Sequence, residues 1–204
     1  MLDFSTEKEF FNQGYKLIAA IDEAGRGPLA GPVVAACVIF RVDQVISEEL
    51  KQINDSKKLS LKKREALYLP IKQAFFGVGV GICDNQTIDR INILQASFLA
   101  MKKALGSIKL KPDLIILDGG FKIPNLSISQ KAIVKGDEKV LTIAAASIIA
   151  KVERDRLMIK FHQQYPQYGF DQHKGYGTKL HLERLKQHGP CLIHRLSFAR
   201  VLQK

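Results

Sequence analysis

Residues 15–41 read YKLIAAIDEAGRGPLAGPVVAACVIFR, and this stretch decides the fold class. Its two ends, 15–22 and 33–41, have the length and the Ile, Val and Ala content of strands. The second is nearly all apolar, the pattern of a strand buried on both faces. The connection EAGRGPLAGP holds three glycines and two prolines in ten residues, which makes it a turn-rich loop. The first strand ends on a pair of carboxylates, Asp22 and Glu23, where a buried strand should stay apolar.

Working outward, FFGVGVGIC at 75–83 reads as a third strand. Its alternate glycines, Gly77, Gly79 and Gly81, predict close packing on one face. Residues 89–105 carry apolar side chains at helical spacing and stop at Gly106. DLIIL at 113–117 is a short buried strand closed by Asp118-Gly119-Gly120, and 130–134 is a fifth. Val140 to about His162 is a long helix: its first half, IAAASIIA, is small enough to lie close on a sheet, and its second half, KVERDRLMIKF, is charged and amphipathic. Shorter helices are expected near 178–188 and 194–202. Three strands followed by strand–helix alternation predict an α/β fold: a five-stranded mixed sheet flanked by helices, with a helical C-terminal part. No linker, repeat or low-complexity segment divides the chain, so one domain over 1–204 is expected, with the helical portion from about 160 packed on it.

The chain has 204 residues, 46% hydrophobic and 25% charged, and a formal net charge of +11. These proportions suit one globular domain, and the surplus favours polyanionic partners such as nucleic acid. The surplus is uneven. Residues 151–204 hold eleven Lys/Arg against four Asp/Glu, and all five histidines. Phosphate contacts are therefore expected from the C-terminal quarter. Cys37, Cys83 and Cys191 are far apart and odd in number, which points to packed thiols in a reducing compartment rather than a disulfide framework. The N-terminus lacks the basic start and apolar core of a signal peptide. The longest apolar run, Leu29 to Phe40, is broken by Gly31 and Pro32 and is too short to span a bilayer. A cytoplasmic protein with no membrane partner is expected.

The sharpest chemical signal is carboxylates at strand ends. Asp22 and Glu23 follow one buried strand and Asp118 ends another. Ligands of open α/β sheets gather at the carboxyl ends of strands. If these strands are neighbours, the acids converge, and a cluster of anions calls for a cation. Hard oxygen donors select Mg²⁺ or Mn²⁺. Asp137, in KGDEK before the long helix, is a fourth candidate; by position alone it is also a helix N-cap or first-turn acid. Acids beside a glycine-rich turn in a basic chain suggest metal-assisted phosphodiester chemistry, with two ions about 4 Å apart reversing the local sign for an incoming phosphate. Other chemistries fit poorly. Neither GVGVG nor KGYGTK matches a phosphate-binding glycine loop, there is no G-x-S-x-G elbow, and the histidines lack zinc-type companions.

Six segments resemble the ribonuclease HII family, in the family's order: AIDEAGRGPLAGPVVAACVI (20–39), NDSKKLSLKKRE (54–65), LDGG (117–120), KGDEKVLTIAAASIIAKVERD (135–155), YPQYGFDQHKGYGT (165–178) and GPCLIHRLSF (189–198). The resemblance spans about residues 15–200. It implies a ribonuclease H-like fold with a C-terminal part that forms one side of the substrate cleft. It implies an endonuclease that hydrolyses the RNA strand of RNA–DNA hybrids, cuts on the 5′ side of a single ribonucleotide embedded in duplex DNA, and leaves 5′-phosphate and 3′-hydroxyl ends.

The family's four metal-binding acids fall on Asp22, Glu23, Asp118 and Asp137, which favours a ligand role for Asp137 over the cap. Its glycine-arginine-glycine element, which reads the 2′-hydroxyl, falls on Gly25, Arg26 and Gly27. Its junction-sensing tyrosine falls on Tyr176. Lys57 and Lys174 are read as phosphate contacts, against the alternative of a solvated basic loop. Glu138 stands where a small residue is common and would add negative charge near the ions. Partners are thus an RNA–DNA hybrid or ribonucleotide-containing duplex, bound by a monomer. The alternatives are a nuclease of other specificity on the same fold, for which the Gly25–Gly27 element and Tyr176 would be superfluous, and a non-catalytic binder, which would do better without the acids.

Overall fold

The computed structural model describes residues 2–43, 45 and 47–202; Met1, Gln44, Ile46, Gln203 and Lys204, the last two belonging to the terminal RVLQK, lie outside them. Five strands, β1 (Leu17–Ala24), β2 (Val33–Arg41), β3 (Gly77–Cys83), β4 (Leu114–Asp118) and β5 (Ser129–Ile133), form one sheet of order β3-β2-β1-β4-β5. β1, β2 and β3 are an antiparallel meander, and β4 and β5 run parallel to β1. The expected mixed sheet is present. The helices are α1 (Ser5–Asn12), α2 (Leu61–Ala74), α3 (Asn85–Gly106), α4 (Leu141–Gln164), α5 (Phe170–His173) and α6 (Lys179–His188).

Strand alternation sorts the central side chains onto two faces. Ile18, Ala20, Ala36, Val38, Leu114 and Ile116 face a layer built from α1, α2 and α4. Ala19, Ile21, Ala35, Cys37, Ile39, Ile115 and Leu117 face α3. β1 and β2 are therefore apolar on both faces because both faces are covered. Each fully buried Ile on them contributes roughly 1.5–3 kcal/mol relative to exposure. The β3 glycines act as their spacing suggested. A methyl group at Gly81 would sit 2.0 Å from the Ala100 carbonyl oxygen, and one at Gly79 would sit 2.2 Å from that of Ala104. Bare backbone there lets α3 lie directly on the strand.

The helices depart from expectation in three places. α1, α2 and the single-turn α5 were not foreseen; α2 carries Pro70 inside it and a first turn of Lys and Arg, which hides its apolar stripe. α3 begins four residues earlier than expected, because Asp84 caps it by accepting the Thr87 amide at 2.8 Å. The helix expected over 194–202 is absent. The Leu196 and Ser197 amides donate to the Asp89 carboxylate at 2.9 and 3.0 Å, and the Arg195 amide donates to the Leu29 carbonyl at 2.9 Å. These amides are committed to partners on other elements, so a helical ladder cannot form there.

α4 organises the site-bearing face. Ala144, Ala145, Ala146, Ile148, Ile149 and Ala150 are fully buried against β1 and β2. Its N-terminus has no local side-chain cap. Instead Glu7 of α1 accepts the Thr142 amide at 2.9 Å and is itself fully buried. Burial pushes the Glu7 carboxyl up, and the bond to Thr142 works against that rise. Glu7→Ala is expected to cost about 1 kcal/mol or more by leaving that amide unpaired, read as a lowered Tm in thermal denaturation. Glu7→Gln, which keeps an acceptor, is expected to lose less than half as much; equal losses from the two variants would show that capping is not the cause.

Candidate active site

The parallel pairing of β1 with β4 sets Ile21 opposite Leu117. Asp22 and Asp118 are the next residues on each strand, and alternation turns both toward α4, on the face of Ala20 and Ile116. Asp22 is buried; its Oδ1 accepts the Glu23 amide at 2.7 Å, and the Ser147 hydroxyl of α4, bonded to that of Ser56 at 2.7 Å, works against the rise of its pKa. Asp118 Oδ1 accepts the Gly136 amide at 2.6 Å. Gly136 opens the single-turn 3-10 helix Gly136–Glu138, so Asp118 holds the turn that carries Asp137. Asp137 is buried, and its Oδ2 accepts from the Lys57 ammonium at 3.1 Å. With α4 capped by Glu7, Asp137 is not that helix's N-cap. Glu23 Oε1 lies 3.2 Å from Arg26 Nη1, while its Oε2 is buried without a partner.

Burial pushes the Asp22 carboxyl well above the usual range, and the charges of Glu23 and Asp118 push it further. Glu23 is raised by burial despite Arg26, with Asp118 adding to the rise. Asp118 is raised by burial, with Asp137 contributing. These carboxylates therefore feel one another in a desolvated setting. The protein cations nearest them, Lys57 and Arg26, are largely exposed at 79% and 51%. Among the described residues, no three carboxylate, imidazole or thiol side chains stand together closely enough to hold a metal ion by themselves. The acids instead border an open cleft of about 320 Å³. Open sites of this type suit Mg²⁺, which binds through one or two carboxylates and keeps further positions for water and phosphate. The orphaned Glu23 oxygen and the uncompensated charge fit a divalent cation.

The opposite wall is a loop held from behind by two fully buried arginines. Arg154 of α4 donates to the carbonyls of Pro32, Lys174 and Ala30 at 3.0, 3.0 and 3.1 Å. Arg195 donates to those of Gly31, Arg26 and Gly25 at 2.9, 2.9 and 2.6 Å, and to Pro32 at 3.2 Å. Burial, and secondarily the neighbouring Arg154, push the Arg195 guanidinium down to about 9. Gly25 has φ of +100°, and a Cβ there would meet Arg154 Nε at 2.1 Å. Only glycine combines that backbone with that approach. Arg154 also ties this loop to the segment of Tyr176, a residue 42% exposed at the cleft, with Lys151 Nζ 5.4 Å from its ring centroid.

Asp22, Glu23, Gly25, Arg26, Gly27, Lys57, Asp118 and Tyr176 line the cleft together. Asp137 lies beside it, behind Lys57. Lys174 does not line it: its ammonium folds back to the Asp171 carbonyl, and its own carbonyl accepts from Arg154. Glu138 is exposed and pairs with Lys58 at 3.2 Å and Lys135 at 3.8 Å, which offsets its charge locally. Sequence reasoning missed Ser56, Ser147 and Lys151 in the lining, and Arg154 and Arg195 behind it. Ser147, Lys151 and Arg154 recur at helical spacing, so a polar stripe inside a long buried helix was the available signal.

The ribonuclease HII family model matches residues 19–201. The chain belongs to the ribonuclease HII family. It is 54% identical to ribonuclease HII of Endomicrobium trichonymphae over 97% of this chain and 92% of that one, and 49% identical to that of Caldicellulosiruptor bescii over 97% and 93%. Its fold is similar to ribonuclease H2 of Pyrococcus horikoshii, with a TM-score of 0.74 and 29% identity over 91% and 95% of the two chains. It is likewise similar to RNase HII of Archaeoglobus fulgidus, solved in a complex with PCNA, with a TM-score of 0.67 and 31% identity over 84% and 87%. As a type 2 ribonuclease H, the chain is an endonuclease acting on RNA–DNA hybrids, in a family that uses divalent metals. No helix among the described residues is long and apolar enough to cross a membrane.

The raised carboxylates have a thermodynamic consequence. Their folded-state pKa values lie above the unfolded ones, so the native state binds more protons, and their contribution to stability falls as pH rises through the folded values. In chelator at neutral pH, Asp22→Asn is expected to raise stability by on the order of 1 kcal/mol, or roughly 2–4 °C in Tm. The gain shrinks as pH is lowered and the wild-type carboxylates protonate. A lowered Tm for this variant at neutral pH would contradict the reading of the cluster as strained by burial and like charge.

Proposed function

We propose that this ribonuclease HII cuts both within the RNA strand of hybrids and on the 5′ side of a single ribonucleotide embedded in duplex DNA, leaving 5′-phosphate and 3′-hydroxyl ends. The observation that carries the reading is the shared cleft: strand-end carboxylates on one wall, Gly25–Gly27 and Tyr176 on the other. Asp22, Glu23, Asp118 and Asp137 would hold Mg²⁺ or Mn²⁺, with two ions in the catalytic complex. Such ions supply Lewis acidity that activates water and counter-charge for the leaving oxygen.

The chain's own residues do the rest. The Gly25–Gly27 backbone, fixed from behind by Arg154 and Arg195, reaches the ribose without an intervening side chain and reads the 2′-hydroxyl, the group that separates RNA from DNA. Tyr176 presents an exposed ring that stacks on the deoxyribose following the ribonucleotide, a place where a 2′-hydroxyl would obstruct it. Lys57 balances Asp137 in the free protein and turns to a phosphate when ions take its place. Lys151, beside Tyr176, adds a further cation to the phosphate path. Lys174 joins that path only if its ammonium leaves the Asp171 carbonyl. The segment from about 160 belongs to the single catalytic domain and supplies one side of the cleft. The working unit is read as a cytoplasmic monomer, in keeping with three free cysteines.

The test is cleavage of a duplex carrying one ribonucleotide, with Mg²⁺, Mn²⁺ and chelator compared. Asp22→Asn and Asp118→Asn are expected to lose cleavage by about a hundredfold or more while still binding the duplex. Normal turnover by either would remove the metal assignment. Tyr176→Ala is expected to reduce cleavage of this substrate more than its binding, and wild-type activity would take the tyrosine out of the site. Binding should weaken steeply with salt, as counterion release requires.

A further inference from the structure

Tyr176 has an unusual mechanical problem. Its ring is exposed and it stands between Gly175, with φ of +84°, and Gly177. Lys151 Nζ and the Arg154 guanidinium carbon lie 5.4 and 5.8 Å from its ring centroid, and the Gly175 carbonyl accepts the Leu29 amide at 2.8 Å. The Tyr176 peptide is held more closely than its ring. The Tyr176 amide donates to the His173 carbonyl at 2.9 Å, and the Tyr176 carbonyl accepts from the Thr178 amide at 2.8 Å. A third contact comes from a ring nitrogen: His181 Nδ1 lies 2.9 Å from the same carbonyl oxygen.

That contact ends a chain with only one consistent direction. The Cys191 amide donates to His194 Nδ1 at 2.9 Å. Nδ1 is therefore an acceptor, and the proton of the neutral ring sits on Nε2. His194 Nε2 faces His181 Nε2 at 3.1 Å, so His181 accepts there and carries its own proton on Nδ1, aimed at the Tyr176 carbonyl. His173 stacks on His181 with centroids 4.4 Å apart, accepts the Gly175 amide at Nδ1 at 3.2 Å, and meets the Tyr168 carbonyl through Nε2 at 2.8 Å. All three rings are buried, at 8%, 0% and 1% exposure for His173, His181 and His194.

We propose that His181 and His194 are positioning residues for Tyr176, fixing its peptide through a one-way hydrogen-bond chain anchored at the Cys191 amide. The inference rests on the assignment of Tyr176 to the substrate cleft. Burial pushes both imidazoles down to about 4, so the neutral chain persists in the working range of a cytoplasmic enzyme. A proton added to either ring would set two donors face to face.

The test separates this proposal from the role of Tyr176 itself. His181→Leu removes the donor; His181→Asn places an amide N–H near the Nδ1 position and keeps it. In protein labelled with 3-fluorotyrosine, with the Tyr176 resonance assigned through Tyr176→Phe, the ¹⁹F signal is expected to move toward the free-tyrosine shift in His181→Leu and to stay in place in His181→Asn. An unmoved signal in folded His181→Leu would overturn the proposal. On the single-ribonucleotide duplex, His181→Leu is expected to lower kcat roughly tenfold, the scale of a small misplacement, with KM little changed. In a Tyr176→Ala background the same substitution should add less than about twofold. A full tenfold loss in that background would mean His181 acts elsewhere and would overturn the proposal. If Tyr176→Ala alone cleaves normally, the site assignment fails, while the ¹⁹F result still decides whether the histidines position the residue. Should His181→Leu not fold, His194→Asn serves the same measurements: it keeps the acceptor for Cys191 but is too short to reach His181.

Discussion

The pairing of β1 with β4 is the constraint on which the site depends. Register places Asp22 and Asp118 at adjacent ends of neighbouring parallel strands, both on the face covered by α4. Two carboxylates so placed, with Glu23 beside them, are partly desolvated and repel one another. Folding alone would not favour that arrangement. It persists because the surrounding elements are fixed by apolar burial that far outweighs it: both sheet faces are sealed, by α3 pressed onto the β3 glycines and by the alanine-rich first half of α4. The electrostatic cost is concentrated where a divalent cation would relieve it.

The second wall follows an inverse logic. Arg154 and Arg195 are fully buried cations whose hydrogen bonds go to backbone carbonyls rather than to carboxylates. Each planar fork gathers several carbonyls at once, which a lysine could not do. The result is a rigid loop at Gly25–Gly27 whose shape is set from inside the protein. Arg154 also bonds the Lys174 carbonyl, so one guanidinium couples the glycine-rich loop to the tyrosine segment. The charge signs are thus distributed by depth: a basic exterior that suits a phosphate backbone, anionic groups in the cleft, and cations locked behind its far wall.

Much of this was legible in the residues. The apolar run 33–41, the carboxylates ending 15–22 and 113–117, and the alternate glycines of 77–81 are consequences of burial and close approach, which leave periodic marks. α4 was legible for the same reason. α1 and α2 were not, since a short helix and one carrying Pro70 among lysines show weak periodicity. The 194–202 segment has helix-compatible composition, yet Asp89, more than a hundred residues away, takes its amides; no local pattern encodes that. The family resemblance located the four acids and Tyr176. It could not show that Lys174 turns its ammonium away, that Lys58 and Lys135 shield Glu138, or that a histidine chain stands behind Tyr176, because these depend on tertiary neighbours.

The account rests on the acids of the β1 and β4 ends acting together on a divalent ion, and the most direct measurement is Mn²⁺ binding followed by electron paramagnetic resonance in the absence of nucleic acid. The account predicts that the wild-type chain takes up Mn²⁺ and that Asp118→Asn weakens the uptake by at least about tenfold, since even outer partners of a metal site carry that much. Equal uptake by the folded variant and the wild type would contradict it.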